Sequence, residues 1–146
     1  MNGYLMDTNI ISALMPGKPP LPPHTAEWMR AHESQMYIPS LAIHEIRRGI
    51  SKLNRAGGHE RAERFLAWLN GIIEIYRDKI LVIDFTVALV AGEMEDKAIA
   101  EGRNPGLADV LIAATAKTHS LTLLTANIRH FHPLGVTCFN PSEDIS

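Results

Sequence analysis

Hydrophobic positions along the chain follow two patterns, short apolar runs and longer stretches with a helical period. The short runs are typical of strands, and they fall at 4–6, 36–38, 80–83, 121–124 and 136–139. The run at 80–83 is apolar throughout, which predicts a strand covered on both faces. The clearest helical period spans 62–76, and the tail from Asn140 onward is expected to fray. Because strands alternate with helices, the pattern predicts an α/β fold with a parallel, doubly covered sheet.

Capping and breaking residues set the expected ends of the helices. Residues 16–23 contain five prolines, which predicts a loop before a short helix over 26–32. Ser40 is expected to cap the helix that follows the second strand. Asn104 and Pro105 form an N-cap and first-turn pair for a helix through His119.

The segment Asp7-Thr8-Asn9 lies where the first predicted strand turns into a helix. Ligands of open α/β sheets bind beside the carboxyl ends of strands, next to helix N-termini. Asp7 could therefore hold a metal ion or a phosphate. The alternative, favoured by this segment alone, is that Asp7 or Thr8 caps the helix.

Asp109 stands in a predicted helix that is apolar on nearly every side. Such a helix is buried, so an ionised Asp109 would have to be neutralised, paired or bound to a metal. A protonated or arginine-paired Asp109 near the helix start explains the sequence equally well.

Glu45 lies three residues before Arg48 on its predicted helix, a spacing typical of a surface ion pair. It also follows the second strand, so in a parallel sheet it comes near the same edge as Asp7. Carboxylates gathered at that edge would repel one another unless a cation lay between them. Oxygen ligands of this kind suit Mg²⁺, and no cluster of His and Cys with zinc-ligand spacing competes.

Composition restricts the alternatives. A chain of 146 residues with 46% hydrophobic and 21% charged residues is expected to form one soluble domain, over 1–146. The net charge of -2 means that any nucleic-acid contact must come from a local basic patch. A single cysteine and the lack of a long apolar stretch indicate a cytoplasmic protein.

Several short motifs follow one another along the chain: Met6-Asp7-Thr8-Asn9-Ile10-Ile11-Ser12, Pro39-Ser40, Glu45-Ile46-Arg47-Arg48-Gly49, Ala108-Asp109, Ile112-Ala113-Ala114-Thr115-Ala116, Thr125-Ala126-Asn127 with Phe131, and Asn140-Pro141. Together they resemble the PIN-domain endoribonucleases of toxin–antitoxin systems, of the VapC and FitB-like kind. The motifs run nearly end to end. The resemblance implies a PIN-like three-layer domain with a parallel sheet of four to five strands.

The resemblance also implies a catalytic site. The invariant acids of the family fall on Asp7, Glu45 and Asp109, which would bind Mg²⁺ or Mn²⁺ for hydrolysis of RNA phosphodiester bonds. Thr8, Asn9 and Thr125 would support these acids by hydrogen bonds.

The fourth acid of the family has no direct counterpart in this chain. Its usual position holds Asn127, and some relatives with Asn there place an Asp three residues later, where this chain has His130. Asn127 could ligate the metal through its carbonyl oxygen or hold a metal-bound water. His130 and His132 taken alone are typical of a surface.

Substrate and partners follow from the same resemblance. Arg48, Lys52 and Arg55 recur at helical spacing after Glu45, as an RNA-contacting rim or as a solvated helix face. The expected partners are a VapB/FitA-like antitoxin and a second copy of the chain, with operator DNA bound only through the antitoxin and no membrane.

Three other functions compete with this one. A catalytically weak PIN domain could act mainly by binding its antitoxin and regulating the operator, which Asn127 and His130 favour. A phosphatase of the haloacid dehalogenase type needs a second Asp two residues after Asp7, where this chain has Asn9. A Rossmann dinucleotide site needs a glycine-rich turn, and none follows the first strand.

Overall fold

The computed structural model describes residues 2–143 and contains a five-stranded sheet. Its strands are β1 (Tyr4–Met6), β2 (Met36–Pro39), β3 (Ile80–Leu81), β4 (Thr122–Leu124) and β5 (Cys138–Phe139). They lie in the order β3-β2-β1-β4-β5, and every neighbouring pair is parallel. The predicted parallel α/β sheet is confirmed, and β1 lies at its centre.

Seven α-helices connect or follow these strands within residues 2–143. They are α1 (Thr8–Ser12), α2 (Pro23–Ala31), α3 (Ser40–Arg55), α4 (His59–Ile75), α5 (Phe85–Ala100), α6 (Leu107–Thr118) and α7 (Ile128–Phe131). Short 3₁₀ turns cover Glu33–Gln35, Arg77–Lys79 and His132–Leu134. None of the helices described is long and apolar enough to cross a membrane.

Two hydrophobic cores cover the two faces of the sheet. Side chains of a strand alternate between faces, so Leu5 and Met6 of β1 enter different cores. Leu5 packs with the inner faces of α5 and α6, and Met6 packs with those of α3 and α4. The expected three layers, helix–sheet–helix, are confirmed.

The prediction for residues 80–83 was wrong. Only Ile80–Leu81 form a strand, and β3 has a single neighbour, β2, at the edge of the sheet. Val82 is 60% exposed because the chain has already left the sheet there. Asp84 then caps α5, accepting a hydrogen bond of 3.0 Å from the backbone N–H of Val87.

Three helices begin at other residues than the sequence suggested. Pro23 opens α2, because proline fits the first turn of a helix. Pro39, rather than Ser40, occupies the N-cap position of α3. Gly106, with an extended backbone, precedes α6, which leaves Asn104 and Pro105 outside the helix.

The segment after β5 is anchored up to Ser142, contrary to the expected fraying. Asn140 is buried, and its side-chain oxygen accepts a hydrogen bond of 3.0 Å from the backbone N–H of Ser142. Ser142 in turn contacts the hydroxyl of Thr25 on α2. The last three residues, 144–146, lie outside the described part of the chain.

Candidate functional site

Asp7 lies at the carboxyl end of the central strand, where its backbone N–H still donates to the carbonyl of Leu124 on β4 at 2.9 Å. Its side chain is only 4% exposed. Asp7 occupies the N-cap position of α1, but its side chain makes no capping hydrogen bond. Instead, Oδ2 accepts a hydrogen bond of 2.9 Å from the hydroxyl of Thr125. The capping interpretation of Asp7 was therefore wrong.

Thr125 is fully buried and holds the Asp7 carboxylate in place. Its Oγ1 also accepts the backbone N–H of Asn127 at 2.9 Å. Since a hydroxyl has one proton and accepts through its lone pairs, the bond from Asn127 leaves that proton free for Asp7. The support predicted for Thr125 thus has a defined geometry.

Glu45 lies on the second turn of α3 and is tied to α1. The hydroxyl of Thr8 donates to its Oε1 at 2.6 Å, across two helices. Arg48 is exposed, and the ion pairs of residues 2–143 do not include a Glu45–Arg48 pair. Thr8 therefore orients Glu45, whereas Asn9 is exposed and no hydrogen bond in this range joins its side chain to the acids.

Asp109 lies in the first turn of α6, and its side chain is 35% exposed. The expectation that it would be buried on all sides was wrong. Val110, Ile112 and Ala113 take buried positions, while Asp109 stays partly exposed to solvent in the first turn of the helix. Its Oδ2 lies 3.6 Å from Nδ1 of His130.

Sequence reasoning identified residue 130 as the place where some relatives carry an acid, but it did not predict the contact of His130 with Asp109. This histidine is exposed, as expected, but it also contacts a candidate ligand. The available signal was its distance along the chain, three residues after Asn127 and therefore close to the end of β4. Such spacing identifies a site residue only when the turn after the strand is known.

The electrostatics of Asp7 link the three acids. Burial is the main cause that raises the pKa of Asp7 above its ordinary value, and the charges of Asp109 and Glu45 add to it. The hydrogen bond from Thr125 and the nearby backbone N–H of Thr8 act in the opposite direction without cancelling the effect. A cation beside Asp7 would relieve both the burial cost and the repulsion.

The three carboxylates are not yet gathered around one point. Within residues 2–143, no group of three or more His, Cys, Asp or Glu side chains is already arranged to hold a metal ion. Their chemistry nevertheless fits a hard divalent cation, since all their donor atoms are carboxylate oxygens. Binding of such an ion would have to draw at least one of these side chains inward.

The remaining candidates surround this centre. Asn127 is half-buried and lines a cavity of about 450 Å³ with Arg129, His130, Asn140 and Glu143. Arg48, Lys52 and Arg55 are all exposed along α3, the helix that carries Glu45.

Asp7 follows the central strand β1, and Glu45 and Asp109 come from the helices α3 and α6. The chain is therefore an α/β protein with an acidic site at the carboxyl ends of its parallel strands. Residues 4–133 match the PIN domain family, and the chain belongs to that family. The match covers every candidate position from Asp7 to His130 discussed above, including Glu45, Asp109 and Thr125.

Individual relatives extend the match to nearly the whole chain. Toxin FitB of Neisseria gonorrhoeae is 31% identical over 145 residues, 96% of this chain and 99% of its own length. Ribonuclease VapC1 of Rickettsia felis is 30% identical over 129 residues, 88% of each chain. A solved structure of DNA-bound VapBC from Salmonella typhimurium superposes with a TM-score of 0.81 at 26% identity, covering 97% of this chain and 99% of that one.

Proposed function

We propose that this chain is an endoribonuclease toxin that uses Mg²⁺ or Mn²⁺ to hydrolyse RNA phosphodiester bonds and is neutralised by an antitoxin. The observation that carries the proposal is the buried Asp7, held by Thr125 and close enough to feel the charges of Glu45 and Asp109. A relative of similar length is a ribonuclease, and another is a toxin.

Asp7, Glu45 and Asp109 are the residues that would hold the ion. When bound, a divalent cation supplies the charge that activates the attacking water and stabilises the negative charge developing on the phosphate. Thr125 keeps the Asp7 carboxylate in one orientation, and Thr8 does the same for Glu45. Such supporting hydrogen bonds reduce the reorganisation that the reaction would otherwise require. Asn127 adds an amide side chain beside this centre.

Arg48, Lys52 and Arg55 are proposed to bind RNA phosphates. They follow Glu45 on α3, so a phosphate backbone that reaches Glu45 could continue along this basic face. Neutralisation of phosphates by Lys and Arg releases counterions, and RNA binding should therefore weaken as salt rises.

The proposed partners are a VapB/FitA-like antitoxin and a second copy of the chain, with operator DNA contacted only through the antitoxin. The DNA-bound VapBC neighbour supports an assembly of this kind. Phe85 and Leu89 of α5 are 79% and 69% exposed and offer apolar surface that self-association would cover. We propose that residues 1–146 work as one domain in the cytoplasm.

The proposal is tested by incubating the purified chain with RNA in Mn²⁺, in Mg²⁺ and in EDTA. We expect RNA cleavage with either ion and none in EDTA, because the acids alone bring only negative charge to a negatively charged phosphate. Cleavage that persists in EDTA would contradict the metal site.

A catalytically weak PIN domain that acts mainly by binding its antitoxin is the second candidate. It is favoured by Asn127 at the place of an acid and by the lack of a ready-made group of three ligands within residues 2–143. The chain would then cleave no RNA in Mn²⁺ or Mg²⁺ while still forming a complex with the antitoxin. The ribonuclease among its relatives favours the enzyme.

Thr125→Val tests the support of Asp7 without changing the size of the side chain. The substitution removes the hydrogen bond to Asp7 and leaves the N–H of Asn127 without its acceptor. We expect the affinity for Mn²⁺ to fall roughly 10–100-fold, as it does when a group that orients a ligand is lost. Titration calorimetry measures this change.

Thr125→Ser is the matched control, because it retains the hydroxyl. It should keep Mn²⁺ affinity within about threefold of the unmodified chain, a difference of less than 1 kcal/mol. Equal affinities in all three proteins would mean that Thr125 has a structural role only.

A further inference from the structure

We propose that His130 is a ligand of the metal ion, binding through an imidazole nitrogen beside Asp109. This inference rests on the proposed function, since it concerns the same site. The observation behind it is the 3.6 Å separation between His130 Nδ1 and Asp109 Oδ2, which joins α7 to α6 at the edge of the acidic centre.

Hydrogen bonds fix the turn that carries His130. The backbone N–H of Asn127, at the N-cap position of α7, donates to Thr125 Oγ1, and Thr125 donates to Asp7. The turn is thus connected to one acid through its backbone and to Asp109 through the His130 ring. Any ion held between Asp7 and Asp109 would lie within the region that this turn borders.

The distance between His130 Nδ1 and Asp109 Oδ2 is compatible with both atoms binding the same metal ion. Ligand atoms about 2.1 Å from one ion are about 3.0–3.5 Å apart at octahedral or tetrahedral angles. The separation of 3.6 Å therefore needs only a small adjustment. His130 is 65% exposed, so its ring is not locked by packing and can make this adjustment.

An imidazole in the ligand set changes which ion binds best. Mg²⁺ prefers oxygen ligands, whereas imidazole suits first-row transition metals such as Fe²⁺, Ni²⁺ and Zn²⁺, a series in which Mn²⁺ is the weakest binder. With His130 in place of a carboxylate, we expect the chain to favour Mn²⁺ over Mg²⁺ more strongly than an all-carboxylate site would.

An ordinary surface ion pair between His130 and Asp109 is the competing interpretation, and such pairs contribute little to stability. It predicts that the imidazole stays outside the coordination shell. The His130 ring would then lie beside Asp109 without contacting the ion, and substitution of residue 130 would not change which metal ion binds best.

Electron spin-echo spectroscopy of Mn²⁺ bound to the tag-free chain, in a nitrogen-free buffer, separates these interpretations. A directly coordinated imidazole gives ¹⁴N modulation of the Mn²⁺ echo, and we expect this signal in the unmodified protein. His130→Gln should remove the signal and weaken Mn²⁺ binding roughly tenfold or more. His132→Gln, a change of the nearby exposed histidine, should alter neither.

His130→Asp gives a second, independent readout. It should bind Mn²⁺ without ¹⁴N modulation and shift the ratio of Mn²⁺ to Mg²⁺ affinity towards Mg²⁺ by roughly tenfold. An unchanged ratio would overturn the inference.

The outcomes keep the two proposals apart. If Mn²⁺ binds the unmodified chain without ¹⁴N modulation, or if His130→Gln keeps the modulation, His130 is not a ligand while the carboxylate site stands. If the unmodified chain binds no Mn²⁺, the metal site fails and the His130 inference fails with it.

Discussion

Asp109→Asn should lower the rate of RNA cleavage in Mn²⁺ by roughly two to three orders of magnitude, the loss typical when one group that stabilises transition-state charge is removed. The substitution keeps the shape of the side chain but removes its negative charge. Asp109 is 35% exposed in the first turn of α6, so the free energy of unfolding should change by only about 0.5 kcal/mol. Cleavage rates and thermal unfolding of the same samples measure both quantities.

Asp78→Asn is the matched control for Asp109→Asn. Asp78 is exposed in the 3₁₀ turn that precedes β3, and therefore lies at the amino ends of the strands, opposite the candidate site. Its substitution makes the same change of charge and should leave cleavage unaltered. If both variants cleave RNA like the unmodified chain, Asp109 has no part in the reaction.

Asp7→Asn should stabilise the metal-free chain while abolishing its response to metal. Burial and the charges of Asp109 and Glu45 raise the pKa of Asp7, which means that its ionised form costs stability at neutral pH. Asparagine removes that cost and can still accept the hydrogen bond from Thr125. In EDTA at pH 7 we expect Tm to rise by roughly 2–4 °C, the shift produced by about 1 kcal/mol in a chain of this size.

The pH dependence fixes the cause of this stabilisation. A group with a raised pKa in the folded state stabilises most when protonated, and that contribution is lost as the pH rises through the folded pKa. The advantage of Asp7→Asn should therefore be greatest above the raised pKa of Asp7 and should vanish as the pH falls below the ordinary value of 3.8. If the difference in Tm between Asp7→Asn and the unmodified chain does not depend on pH, the charge of Asp7 is not its cause.

Addition of Mn²⁺ should reverse this order, so that the unmodified chain has a higher Tm than Asp7→Asn. An ion that binds only the folded state raises the Tm of the unmodified chain, whereas Asp7→Asn lacks a ligand and should respond weakly. If Mn²⁺ raises the Tm of both proteins equally, Asp7 does not hold the ion.

The sheet and the general place of the site could be predicted because both depend on short-range patterns. Alternation of apolar runs with helical periods requires parallel strands, and parallel strands bring Asp7 and Glu45 to the same edge. The sequence could not show that Asp7 faces Thr125 instead of capping α1. That choice depends on β4, which is separated from β1 by more than a hundred residues and pairs with it directly.

Other errors came from properties that a single stretch of sequence does not contain. Val82 resembles a strand residue, but its exposure follows from the position of β3 at the sheet edge. Asp109 was expected to be buried because its neighbours are apolar, although the first turn of α6 is partly exposed to solvent. His130 reaches Asp109 only because the turn after β4 directs α7 towards α6.

Anomalous X-ray scattering from crystals grown with Mn²⁺ is the measurement that tests the central claim most directly. The account predicts an anomalous peak at the carboxyl ends of β1 and β4, within ligand distance of Asp7 and Asp109, with Glu45 drawn inward. No peak at this position, under Mn²⁺ concentrations that support RNA cleavage, would contradict the proposal that these acids hold the catalytic ion.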